Sequence, residues 1–176
     1  MTPTLDLRHY TSDDRDQVLD IHDEVYAELD DPLADREAFG PFLDHWAARP
    51  GFACLIGYDK AEPVGFAYGA PLSPATTWWQ GVDPQPDAAF THETGTRTFA
   101  LSELNVRTPW RGTGIARRIH DALIADRSEE RVTLLVHAAH SKVVALYEQW
   151  GYRTIGQTVP FEGAPLLYSM TRQLRT

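Results

Sequence analysis

Three stretches of the chain bring together residue types that can do chemistry. The first is RGTGIARR, residues 111–118, where an apolar segment runs into a glycine turn and then into a helical pattern. Gly112 and Gly114 lack side chains, so the backbone can curl and let a ligand come close. Ile115, Ala116 and Arg117 then open a helix, whose first N–H groups find no partner within it and whose dipole adds positive potential. Arg111, Arg117 and Arg118 add charge. From Arg111 through Thr113 to Arg117 this is the chemistry of an anion site. The standard nucleotide fingerprints do not fit: a Walker loop would need a lysine that is absent, and Arg117 stands where a dinucleotide motif has its third glycine. A plain helix start that happens to use glycine is the other reading. The second stretch is LSELNV, residues 101–106. A carboxylate inside an apolar strand should have a raised pKa, which suits Glu103 to accept a proton near neutral pH. Alternation puts Glu103 and Asn105 on one face and Ser102, Leu104 and Val106 on the other. A solvent-facing Glu on the outer side of the sheet is the alternative. The third stretch is HAAHSKVVALYEQWG, residues 137–151. His137 and His140 have ligand-like spacing, but no third ligand is near, so no metal site is expected. By pattern alone, Tyr147 is a packed aromatic on an amphipathic helix.

These residues need a frame. LDLRHY alternates as a strand. A helix follows from Thr11 or Ser12 as N-cap, with Val18, Ile21, Val25 and Leu29 as its stripe. A second helix is predicted over 35–48, with Phe39, Phe42, Leu43 and Trp46 inward, and with Gly40 and Pro41 as a point where it could split. FACLIGY and PVGFAYGAPL read as a hairpin, and Cys54 within it as a small core residue. Residues 72–96 read as a long loop, in which Trp78 and Trp79 either wall a pocket or anchor the loop to the core. RTFALSELNV is a strand, the segment after the glycine turn a helix, RVTLLVH a buried strand, SKVVALYEQ a helix ended by Gly151, and YRTIGQT and PLLYSMTRQL two closing strands. The fold class is α/β (α+β). A single domain over 1–176 is expected, with a central mixed, mostly antiparallel sheet of about seven strands flanked by about four helices.

The glycine turn resembles the signature of the GNAT superfamily of acyl-CoA-dependent N-acetyltransferases. That signature is Arg or Gln, x, x, Gly, x, then Gly or Ala, after a strand ending in Val and Pro. Arg111, Gly114 and Ala116 fill those places after ELNVRTP. A second match follows in HSKVVALYEQWGYR, where Leu146, Tyr147, Glu148 and Gly151 agree and Tyr152 stands for a Phe. His140 and Val143 depart from the family's Asn and Ala. The resemblance implies that the turn's amides hold the pyrophosphate of coenzyme A, with His140 as a neighbour of the coenzyme. It implies acetyl-CoA as co-substrate, without metal, and direct attack by an amine in a ternary complex. Tyr147 would protonate the departing thiolate and Glu103 would take the amine's proton. Backbone amides of Leu104, Asn105 and Val106 would bind the oxyanion and pair with the pantetheine arm.

Composition bounds the partners. The chain has 16 Lys and Arg against 25 Asp and Glu, a net charge of −9. That disfavours nucleic acid, which needs a basic surface. It is compatible with a cationic amine, of a small molecule or a peptide, and equally with an acidic surface kept for solubility. The acidic residues of ELDD at 28–31, with Asp35 and Glu37, either attract a cationic acceptor or are a solvated helix end. No apolar run reaches the length of a membrane helix and no signal segment is visible, so no membrane partner and a cytoplasmic location are expected. Assembly is open between monomer and homodimer. A non-catalytic protein that sequesters CoA or another ligand on the same fold is the competing function.

Overall fold

The computed structural model describes residues 4–27, 29 and 31–175. Among the described residues, seven strands and five helices follow one another. They are β1 (Leu5–His9), α1 (Arg15–Tyr26), α2 (Arg36–Ala47), β2 (Ala53–Asp59), β3 (Glu62–Pro71), α3 (Ala88–Thr91), β4 (Thr98–Val106), α4 (Ile115–Ala125), β5 (Arg131–His137), α5 (Ser141–Gln149), β6 (Arg153–Thr158) and β7 (Leu167–Gln173). The strands form one mixed sheet in the order β1-β2-β3-β4-β5-β7-β6. β1 with β2, β2 with β3, β5 with β7 and β6 with β7 are antiparallel, while β4 and β5 pair in parallel over Thr98–Ala100 and Arg131–Thr133. This is the mixed, mostly antiparallel α/β architecture expected from the sequence. The fifth helix, α3, falls in the segment read as loop. The chain divides into two compact units, Met1–Ala70 with Leu101–Arg127, and Pro71–Ala100 with Ser128–Thr176.

In the first unit, Thr11 and Asp14 close the chain before α1: the Thr11 amide and hydroxyl both donate to Asp14 Oδ2, at 2.8 and 2.9 Å. The buried face of α1 is Val18, Leu19, Ile21 and His22. The expected stripe is thus corrected at its end: the helix stops at Tyr26 and Leu29 is 46% exposed. Pro41 does not split α2, which runs unbroken from Arg36 to Ala47. Proline removes one hydrogen bond and crowds the preceding turn, which costs about 3 kcal/mol in a helix interior. Three features offset this. Asp35 caps the first turn through Ala38 N at 2.8 Å. Phe39, Leu43 and Trp46 are buried. Arg15 grips Asp44 through two hydrogen bonds of 2.7 and 2.9 Å, tying α1 to α2.

Two glycines seat α4 on the sheet. A Cβ at Gly57 would lie 3.0 Å from Ile119 Cδ1, and one at Gly65 3.2 Å from the same atom and 2.7 Å from the Asn105 carbonyl oxygen. The bare backbone at these positions makes room for Ile119, which is fully buried. The seat fixes where α4 begins, and α4 begins with the glycine turn.

In the second unit, a buried clasp orders the 72–96 segment. Glu93 Oε1 accepts from Trp79 Nε1 (2.9 Å), Thr98 Oγ1 (2.7 Å) and the Arg131 guanidinium (2.9 Å). Arg131 is 2% exposed and lies over the Phe90 ring at 4.1 Å. Arg97 donates to the carbonyls of Ala89 and His92 and so caps the end of α3. Of the two readings of the tryptophan pair, anchoring holds for Trp79, which is buried in this clasp.

Candidate functional site

The glycine turn takes the form that the sequence demands. A short 3-10 turn, Thr108–Trp110, leads into Arg111, and α4 starts at Ile115 with Gly114 as its N-cap. Gly112 and Gly114 sit at φ +74° and +84°, a left-handed conformation that L side chains rarely adopt. A Cβ at either would meet nothing within 4 Å, so packing does not explain them. They are needed for the backbone path, and the space above them is open. The Gly114 carbonyl already accepts the first helical bond, from Arg118 N at 3.1 Å. The amides of Ile115, Ala116 and Arg117 form the first turn, where helix geometry supplies no acceptor.

Side chains brace the turn from below. Arg111 Nε donates to the Val106 carbonyl at 3.0 Å, tying the turn to the end of β4. Trp110 Nε1 donates to Asp59 at 3.0 Å, and Thr113 Oγ1 to the Trp110 carbonyl at 2.6 Å. Arg117 pairs with Asp121 one turn on, at 3.1 Å. Arg111 and Arg117, expected to add positive charge, are therefore partly engaged.

Glu103 lies on β4 just before this turn. Its carboxylate is partly enclosed, and burial pushes its pKa up to about 7; hydrogen bonding to Asn105 and Tyr26 opposes that rise, and Asp31 adds to it. Asn105 Nδ2 donates to Oε2 at 3.1 Å, which bears out the shared face read from alternation. Tyr26 Oη donates to the same oxygen at 3.4 Å. Tyr26 stacks on His22 at 4.2 Å and 13°, and His22 on Phe39 at 3.6 Å and 4°. His22 is fully buried, and neither ring nitrogen has a hydrogen-bond partner. Burial lowers its pKa to about 4 against a small opposing pull from Asp31. Burial, and next the Glu103 charge, hold the Tyr68 phenol well above its usual range. The sequence reading missed Tyr26, His22 and Tyr68. The local signal was the spacing of His22 and Tyr26, which places them one above the other on a helix.

Of the acidic run, Asp31 accepts from Leu33 N at 2.7 Å and Asp35 caps α2, so these two serve chain turns. Glu28 and Asp30 lie outside the described residues. Leu104, Asn105 and Val106 continue β4, with Asn105 and Val106 buried. Cys54 is buried in β2, and that burial raises its thiol pKa, as suits an inert core residue.

The second unit holds the other candidates. Tyr147 is on α5, half-buried, and packs edge-on against Trp150 and Tyr152, each at 5.4 Å. Its carbonyl accepts from Trp150 N and Tyr152 N at 3.0 Å, which closes the helix at Gly151. His140 is the N-cap of α5, exposed, with its ring stacked on His137 at 4.5 Å. No group of three metal-ligating side chains occurs among the described residues. A cavity of about 380 Å³ is lined by Thr76, Trp79, Gln80, Gly81, Gln85 and Thr91 of the 72–96 segment, so Trp79 walls a pocket as well as anchoring the loop; the glycine turn, Glu103, His140 and Tyr147 do not line it. No helix among the described residues is long and apolar enough to cross a membrane.

Comparison with known proteins bears on this geometry. Residues 89–173 match the family model of the acetyltransferase (GNAT) domain. No curated protein matches the sequence. Among solved structures, the chain is similar to the ribosomal-protein-S18-alanine N-acetyltransferase of Escherichia coli, at 13% identity and TM-score 0.70, over 98% of this chain and 96% of that one. It is similar to the ribosomal-protein-alanine N-acetyltransferase of Brucella melitensis, at 23% identity and TM-score 0.66, over 96% and 99%. It is also similar to yncA of Salmonella typhimurium, solved with its cofactor acetyl-CoA, at 14% identity and TM-score 0.68, over 98% and 95%. The glycine turn and the LYE…GY helix pointed to this family from the sequence; residues 89–173 match its acetyltransferase domain model, and the chain has the GNAT fold.

Proposed function

We propose that the protein is an N-acetyltransferase. It moves an acetyl group from acetyl-CoA to the primary amine of a small-molecule or peptide acceptor, by direct attack in a ternary complex and with the whole chain acting as one domain. The observation that carries this reading is the glycine turn. Two left-handed glycines open a space at the mouth of an 11-residue helix, whose first-turn amides helix geometry leaves without an acceptor inside the helix. That space suits the diphosphate of coenzyme A, which fits backbone donors and a helix dipole better than it would fit a neutral ligand. Gly112, Thr113, Gly114, Ile115, Ala116 and Arg117 would hold the diphosphate, with Arg111 bracing the turn. His140, at the mouth of α5, would lie beside the coenzyme. Amides of Leu104 to Val106 would bind the pantetheine arm and the carbonyl oxygen.

When bound, acetyl-CoA supplies a thioester carbon open to nucleophiles. The amine nitrogen must be neutral to attack it. Glu103, with a pKa near 7, accepts the proton lost by that nitrogen. The carbon–sulfur bond breaks as the carbon–nitrogen bond forms. Tyr147 gives its phenolic proton to the departing sulfur and regains one from solvent. The ribosomal-protein-alanine N-acetyltransferases among the similar structures are named for an alanine of a protein, which supports a polypeptide amine as one acceptor class. A cytoplasmic location accords with acetyl-CoA as co-substrate.

Calorimetry with acetyl-CoA and free CoA, and thiol release across a panel of amines, test this reading. Binding with amine-dependent thiol release is expected, and Tyr147→Phe should lower the rate at least tenfold without weakening CoA binding. No heat with either coenzyme at millimolar concentration would refute it. Tight binding with no release for any amine would leave the sequestering protein instead.

A further inference from the structure

Both protein donors that reach the Glu103 carboxyl go to the same oxygen. Asn105 Nδ2 lies 3.1 Å from Oε2 and Tyr26 Oη 3.4 Å from it. Among the described residues no donor reaches Oε1. Glu103 itself is half-buried, between the buried Leu101 and Asn105 of the same strand face. A glutamate on a strand has free torsions and would otherwise present either oxygen in many directions. Two donors on one oxygen remove that freedom and leave the other oxygen's lone pairs unspent.

The tyrosine is itself held. It ends α1, and its ring is the outer plate of a stack that runs Phe39, His22, Tyr26. His22 is neutral at physiological pH, because burial lowers its pKa to about 4, and its nitrogens engage no other group. In this stack it acts as a flat spacer. The phenol is thus fixed from α2 through α1, while Asn105 is fixed by its own strand.

We infer that Tyr26 and Asn105 are positioning residues for acetyl transfer, holding Glu103 by Oε2 so that Oε1 takes the proton of the incoming amine. This rests on Glu103 being the base, and the test separates the two ideas. Tyr26→Phe keeps the ring and its stack and deletes the donor. The pH dependence of kcat/KM for acetyl transfer to one reactive amine is measured for wild type, Tyr26→Phe, Asn105→Leu, Glu103→Gln and the Tyr26→Phe/Glu103→Gln pair. The Glu103 carboxyl is titrated in parallel by carbon NMR, without coenzyme. Losing a donor to the charged form raises the carboxyl pKa. The acid limb of the profile and the carboxyl titration should both move up, by about half a pH unit for Tyr26→Phe and about one for Asn105→Leu, whose bond is shorter. KM for acetyl-CoA should stay within twofold for Tyr26→Phe. On the Glu103→Gln background, Tyr26→Phe should change the rate by less than twofold. An unmoved limb in Tyr26→Phe, or an equal rate loss with and without the Glu103 carboxylate, would overturn the positioning role. A Glu103→Gln protein with the wild-type profile would overturn the base assignment, and the inference with it.

Discussion

Protonating His22 in the folded protein puts a charge where there is neither water nor a hydrogen-bond partner. The ring is fully buried between Tyr26 and Phe39, and its pKa falls from 6.5 to about 4. The folded value is depressed, so the unfolded chain binds the extra proton first. Stability contributed by the neutral ring is therefore complete above pH 6.5 and is lost as the pH falls toward 4. At about 1.4 kcal/mol per pH unit, that gap amounts to about 3 kcal/mol. Glu103 acts with the opposite sign. Its folded pKa is raised from 4.5 to about 7, so its neutral form favours the fold at low pH, and that contribution is lost as the pH rises through this window. Comparing two proteins that share Glu103 cancels it. His22→Phe keeps a flat ring in the stack and removes the titrating nitrogens. At pH 7 the variant should lie within about 1 kcal/mol of wild type, because losing two unpaired polar atoms offsets the slightly larger ring. Urea unfolding of both proteins at pH 7, 5.5 and 4 should show wild type losing about 3 kcal/mol relative to the variant. Stability curves that stay parallel within about 0.5 kcal/mol from pH 7 to 4 would refute the argument.

Gly114→Ala should cost about 1 kcal/mol of stability, for a left-handed alanine with no clash, and should weaken CoA binding at least tenfold by calorimetry because the turn relaxes. In Gly65→Ala the new Cβ would press on the Asn105 carbonyl and on Ile119, so a loss of about 2 kcal/mol in urea unfolding and weaker CoA binding are both expected. Arg131→Met leaves the buried Glu93 carboxylate without its cation, and should destabilise by about 3–5 kcal/mol and expose residues 72–96 to limited proteolysis.

What the sequence made legible was local. Alternation located β4 and put Glu103 beside Asn105, and apolar flanks foretold the raised pKa. The glycine turn was readable because its demand is conformational: φ values of +74° and +84° belong to glycine whatever surrounds them. α3 was missed because four residues make too short a stretch for a period to show. Its signal was Asp87 accepting from Phe90 N, a cap, and its other support is Arg97, which reaches back from β4's approach to its last carbonyls. The helix over 35–48 was legible in its apolar stripe despite Pro41, because the packing of a whole helix face outweighs a rule about one residue.

The surroundings of Glu103 were illegible for a different reason. Tyr26 stands 77 positions away in the chain, and nothing local links the two. His22 occupies a core position on α1's apolar face, yet a pattern read from hydrophobic residues passes over it. A buried ring with two unpaired nitrogens is costly, and where a protein tolerates it, the geometry it enforces is a better explanation than stability. The cost sits beside Glu103, the carboxylate proposed as the base, whose Oε2 the Tyr26 phenol reaches. If the stack exists to hold Tyr26 there, His22→Phe should gain stability at acid pH and leave the pH profile of acetyl transfer unmoved, since any flat plate serves. His22→Ala should move the acid limb upward as Tyr26→Phe does, because the phenol loses its support. An alanine variant that folds, loses stability and keeps the wild-type profile would show that the stack serves only the core.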